Sequence, residues 1–301
     1  MNAPTLIALL NVTALVTIML SMGLRVDFKD VLASARPARL LASGLLANYV
    51  LAPAVTLGLL YVFRPAPMVS AGFLILAVCP GAPVGPPITA VAKGDVPRAV
   101  GMMLILAGLS AIISPALLSV LLPRVAPGSA LRIDYPAIVR ILLVTQLLPL
   151  TVGLGVRRAA PALVRRIDKP VGLLANALLL SLVVVIVVAQ YETLAAIRLR
   201  GWMGMGLLLL ASLGVGWLCG GRDLAIRKTM AVTTATRNAA VGLVIATSNF
   251  GGTPAVTAVV AYGLVSIVGA LGCALLLGKF AAVEPKNAHA QSDRDRSHSV
   301  V

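Results

Sequence analysis

The chain has 301 residues, 59% of them apolar, with a mean hydropathy of +0.99 and a formal net charge of +15. Soluble domains run at about 45–50% apolar, so a water-soluble fold is excluded and an all-α polytopic membrane protein is expected. The basic residues fall in short stretches between apolar runs, not on a patch interleaved with aromatics, so the lipid bilayer and not nucleic acid is the expected partner.

A bilayer crossing takes about 20 apolar residues, and nine runs meet that requirement. The first, Thr5–Leu24, has no Lys or Arg ahead of it and exceeds a signal peptide's apolar core, so it reads as a retained span with its N-terminus outside. The second is Leu40–Phe63, which carries Asn48. The third, Met68–Ala92, contains CPGAPVGPP from Cys79 to Pro87. Four prolines and two glycines in nine residues cannot stay a continuous helix, because each internal proline removes a donor and clashes with the preceding turn. The fourth is Val96–Leu122, with Ser110 inside it. The fifth is Tyr135–Val156, whose Arg140 lies near the outer edge, where its head can snorkel to water. The sixth and seventh are Pro170–Gln190 and Trp202–Cys219. The eighth, Ala225–Phe250, is interrupted by TTATRN from Thr233 to Asn238. The ninth is Thr253–Phe280. Residues 1–280 are thus expected to form one transmembrane domain, and the polar residues 281–301 a disordered cytoplasmic tail.

With the N-terminus outside, eighteen of the twenty-five Lys and Arg fall on the inner side and five on the outer side, leaving Arg140 and Arg237 within spans. That bias supports nine spans with the C-terminus inside, as in a bacterial inner membrane. The two interrupted segments lie five spans apart and so cross in opposite directions. Broken helices at membrane depth survive only where they line a cavity or are wrapped in protein. The pattern predicts an inverted repeat, spans one to four against six to nine with span five as connector, and a binding site at the midplane.

Arg237 is the most informative residue. All ten acidic residues lie outside the spans, so a cation stands at bilayer depth with no acid beside it in sequence. Such a placement costs about 2.5–3.5 kcal/mol on insertion scales and calls for an anion. The bland reading is a guanidinium bonding carbonyls freed by a broken helix. The three cysteines lack CxxC spacing and both histidines lie in the tail, so neither a metal site nor a disulfide frame is expected. No Asp, Glu or His lies in a span to act as acid or base, so an enzyme is not expected.

These residues resemble the bile acid:sodium symporter family over nearly the whole chain, from about Leu15 to Phe280. The family's MFSMGL pattern appears as MLSMGL, Met19 to Leu24. Its CPGG-x-x-SN…AKGD stretch appears from Cys79 through Ala82 and from Ala92 to Asp95. Its E-x-G-x-QN-x-x-L element appears as Thr233 to Val241, and a later F-G-x-x-P…Y as Phe250 to Pro254 and Tyr262. The resemblance implies a core domain with two crossing discontinuous helices, a panel domain, and carriage of organic anions, commonly with sodium. It is the nine-span kind of member that the chain is similar to.

The departures concern the ion site. The family's sodium-binding glutamate and glutamine fall on Thr233 and Arg237, the Ser-Asn pair on Gly85 and Pro86, and the glutamine of the preceding helix on Asn48; Ser110 is a further position of this set. Na⁺ wants several oxygens, one of them preferably anionic. The expectation is therefore a sodium-independent secondary transporter or facilitator of a small organic anion. It would work by alternating access, without cofactor or bound metal, and Arg237 would take the ion's place. The substrate site would be formed by Arg237, Asn238, Thr236, Thr234, Pro83, Gly85 and Pro86, with Thr89 a turn further along. The alternatives are a sodium-coupled symporter with a rebuilt ion site and a ligand-binding membrane protein that does not transport. Substrate identity and oligomeric state stay open.

Overall fold

The computed structural model describes residues 3–27, 29, 38–126, 134–189 and 191–279. The stretch from residue 281 onward, expected to be a disordered tail, lies outside them. Helices joined by short turns and breaks make up the described residues, which contain no strand.

The helices are α1 (Ala3–Arg25), α2 (Ala38–Phe63), α3 (Pro67–Ala77), α4 (Gly85–Val91), α5 (Val96–Val125), α6 (Tyr135–Ala159), α7 (Pro161–Ala189), the short α8 (Tyr191–Ala195), α9 (Leu199–Cys219), α10 (Leu224–Ala235), α11 (Ala239–Phe250) and α12 (Pro254–Lys279). Six of them, α2, α5, α6, α7, α9 and α12, are long and apolar enough to cross a membrane. Both interrupted runs break where expected: α3 and α4 are separated by residues 78–84, and α10 and α11 by residues 236–238. One boundary moves substantially. The helix of the sixth run, α7, begins at Pro161 and not at Pro170, so Arg165, Arg166 and Lys169 sit on its first turns instead of in a loop. Leu173, Leu180, Val188, Leu218, Val268 and Leu275 are all more than half exposed, which suits helices whose outer faces meet lipid and not water.

The helices pack as two groups. In one, α1 lies between α6 and α7. The other joins α2, α3, α4, α5, α9, α10, α11 and α12, with α9 on α10 and α12 on α3 as its closest pairings. The groups meet where α1 touches α11 and where α6 touches α5. Small residues set the close approaches. A Cβ on Gly23 of α1 would stand 2.9 Å from the Cα of Gly153 on α6, and the reverse is equally tight. Without a hydrophobic drive between helices in lipid, such backbone contact supplies the packing energy.

Two helices carry a widened turn. In α2 residues 47–51 and in α6 residues 143–147 bond from i to i−5; Ala52 N–H reaches Ala47 O and Leu148 N–H reaches Leu143 O. Each widened turn is followed two residues on by a proline, Pro53 or Pro149. Proline supplies no N–H and its ring collides with the carbonyl four residues back, and a π-type turn relieves both. The first turn holds Asn48 and the second Thr145 and Gln146, all buried.

Candidate functional site

The two helix breaks meet. The backbone N–H of Asn238 donates to the Cys79 carbonyl at 2.8 Å, and its Nδ2 donates to the Gly81 carbonyl at 3.3 Å. Asn238 Oδ1 accepts from Val241 N–H at 3.2 Å and so caps α11. One side chain thus satisfies a freed carbonyl of one break and a freed amide of the other, as a non-helical backbone at membrane depth requires. Gly81 has φ +82°, and a Cβ there would come within 2.8 Å of Ala107 Cα, so the first break needs glycine at this point. Ser114 Oγ donates to the Val78 carbonyl on the same stretch.

Arg237 lies between two half-helices of 12 residues each. At 1.5 Å per residue each half spans about 18 Å, which sets the guanidinium near the middle of the crossing. It is 2% exposed. Nη1 donates to the Ala77 carbonyl at 3.2 Å, where α3 ends, and to Asn48 Oδ1 at 3.4 Å; Nη2 has no partner. The titratable side chains acting on it are Tyr262, Cys79 and Tyr49, with no carboxylate among them. Asn48 Nδ2 donates to Gly44 O at 3.0 Å and to Thr234 Oγ1 at 3.4 Å. Arg237, Asn48 and Thr234 therefore form one chain of side-chain bonds linking α2 to the second break.

The remaining expected site residues divide. Thr236 Oγ1 donates to Val232 O, and a Cβ on Gly85 would stand 3.3 Å from that hydroxyl, so the start of α4 faces the second break. Thr233 is 4% exposed and its Oγ1 is unbonded. Pro86 is buried and Pro83 half-buried. Thr89 Oγ1 returns to Gly85 O at 3.0 Å. Ser110 is engaged elsewhere: its Oγ bonds Ala107 O at 2.8 Å and accepts from Gln146 Nε2 at 2.8 Å, while Gln146 also donates to Ala107 O. Thr234, Thr236, Arg237 and Asn238 are each at most 2% exposed, so the cluster is closed to solvent.

Sequence reasoning passed over Gln146 and Tyr49, whose hydroxyl donates to Leu106 O at 2.6 Å. A lone amide in a crossing, three residues before a proline, was the available signal for Gln146.

Asn48, Thr233 and Thr234 supply only neutral oxygens, and a guanidinium already occupies the Oδ1 of Asn48. A second cation at such depth would be repelled strongly.

The sodium bile acid symporter family model matches residues 12–197, more than half of the chain, and the chain belongs to that family. The match contains the first break and ends before the second, which carries the departures at Thr233 and Arg237. No curated protein matches the chain. The protein is accordingly an integral membrane protein of a family of organic-anion transporters, not enzymes.

Proposed function

We propose that this member of the sodium bile acid symporter family is a secondary transporter of a small organic anion that works without sodium, with Arg237 standing where relatives hold the coupling ion. The observation that carries the reading is the bond from Arg237 Nη1 to Asn48 Oδ1 at 3.4 Å. Asn48 and Arg237 both fall on positions to which the resemblance assigns sodium ligands, and here one neutralises the other's use. The glutamate position, Thr233, brings no negative charge.

The anion's partner is the unbonded Nη2 of Arg237. Charge-assisted bonds of a guanidinium to a carboxylate are among the strongest available to a protein. Asn238, Thr234 and Thr236 on one side, and Pro83, Gly85 and Pro86 on the other, complete the site, with the N-terminus of α11 adding a favourable dipole. The described arrangement is the closed one. It opens along the seam between the α1–α6–α7 group and the rest, where a cavity of about 50 Å³ lies between Leu179 and Leu182 of α7 and Ala239 and Ala240 at the start of α11. Spans one to four and six to nine act as inverted repeats in this cycle, with the N-terminus outside and the C-terminus in the cytoplasm of a bacterial cell.

Purified protein in proteoliposomes tests this with labelled taurocholate and a panel of smaller carboxylates. Uptake of a transported anion proceeds at the same rate in sodium and in potassium, and Arg237→Gln abolishes anion binding. Accumulation driven by a sodium gradient overturns the reading and leaves a symporter with a rebuilt ion site. Unchanged anion affinity in Arg237→Gln assigns the guanidinium a structural role, holding the Ala77 carbonyl and Asn48. Binding without counterflow makes the protein a receptor.

A further inference from the structure

We propose that the fixed charge of Arg237 makes the membrane potential the driving force of this carrier: return of the empty protein moves the guanidinium through the field, so net anion flux is electrogenic and directed outward. This rests on the sodium-free reading above.

The cycle needs something to balance the substrate's charge, and no carboxylate or imidazole is buried among the described residues to do so. Without a buried Asp, Glu or His, no anionic side chain holds a coupling cation there and no carboxylate carries a proton with the anion; the other buried cation, Lys228, lies nine residues before Arg237, toward the start of α10. The positive charge that is present cannot leave. Arg237 is tied to Ala77 at the end of α3 and to Asn48 in α2, so it stays with the helices that form the site.

Its depth matters as much as its charge. Two 12-residue half-helices place it near mid-membrane. When the site faces inward the transmembrane field falls outside Arg237, and when it faces outward the field falls inside it. The guanidinium therefore crosses the field at each switch, however small its own displacement.

With a monovalent anion on Nη2, the loaded site is neutral and its switch is electrically silent. With the site empty, the switch carries one positive charge. A cell interior at negative potential pulls that charge inward, which returns the empty carrier to the inner side and expels anion. At equilibrium the potential supports a gradient of about 50-fold per 100 mV for one charge. One-for-one exchange uses only loaded switches and feels no potential.

The test needs no knowledge of the substrate. The full-length protein is placed in a planar bilayer under voltage clamp, in N-methylglucamine with a dextran sulfate counter-ion too large to enter the site. Voltage steps are expected to give a transient current that integrates to no more than one elementary charge per protein. Arg237→Lys retains it and Arg237→Gln loses it. No transient current in the wild type, or an equal one in Arg237→Gln, overturns the proposal. If Arg237→Gln does not fold, loss of the transient from folded Arg237→Lys overturns it instead. Sodium-driven uptake would sink the sodium-free reading; sodium-free uptake without this charge movement would sink only the present inference.

Discussion

The amide of Asn238 donates to the carbonyl of Cys79 at 2.8 Å, and that bond joins two helix breaks 159 residues apart in the chain. Each break exposes backbone groups that lipid cannot satisfy. Each supplies what the other lacks, so neither is stable alone, and the crossing is a unit.

Asn238→Ala should therefore cost more than an ordinary buried amide. It removes the α11 cap, about 1 kcal/mol, and leaves the Gly81 carbonyl unbonded, about 1–3 kcal/mol. The unfolding midpoint in detergent falls by several degrees. Asn238→Ser keeps a capping oxygen but does not reach Gly81, and falls between the two. Equal midpoints for wild type and Asn238→Ala would show that the breaks are held by other contacts.

Restoring the family's ion ligands should restore an ion response. The double variant Thr233→Glu/Arg237→Gln gains a carboxylate and loses the guanidinium that blocks Asn48. Its thermal midpoint rises in sodium and not in potassium; a ligand at 100 times its Kd adds about 2.7 kcal/mol of stability. The wild type melts at one temperature in both salts. A sodium-specific rise in the wild type would contradict the displacement of the ion by Arg237.

Gly81→Ala should prevent folding, since the new methyl meets the backbone of Ala107 and the φ of +82° is itself unfavourable for alanine. No side-chain movement relieves a clash with backbone. Gly214→Ala is the matched control: no atom lies within 4 Å of its Cβ, and in the interior of α9 alanine adds about 0.5–1 kcal/mol. Size-exclusion profiles and melting curves separate them, and a well-folded Gly81→Ala protein would refute the close approach of α5.

Gln146 links α6 to α5 through two acceptors, Ala107 O and Ser110 Oγ. Ser110→Ala removes one of these and should cost about 0.6 kcal/mol, the average for a polar contact between membrane helices. Gln146→Ala removes both and leaves buried acceptors without that donor, costing about 1–3 kcal/mol. Melting midpoints that rank the other way would show Ser110, not Gln146, as the centre of the contact.

Much of the architecture was legible in the sequence because lipid imposes few solutions. A backbone in hydrocarbon must bond to itself, so apolar runs of the right length announce helices, and a cluster of prolines or a polar sextet inside such a run announces a break. The positions of both breaks and the isolation of Arg237 from every acid follow from Cys79–Pro87, Thr233–Asn238 and the placement of ten carboxylates. The tertiary structure decided the partners. Composition does not say that Asn238 reaches Cys79, that Arg237 rests on Asn48 and Ala77, or that Ser110 bonds Gln146. Those contacts span from 36 to 189 residues and depend on how helices cross, which hydropathy does not encode. The widened turns at Asn48 and Gln146 fell between the two. Pro53 and Pro149 are written in the chain, but whether a proline kinks, breaks or widens a helix is settled by the neighbours that take up the freed carbonyls.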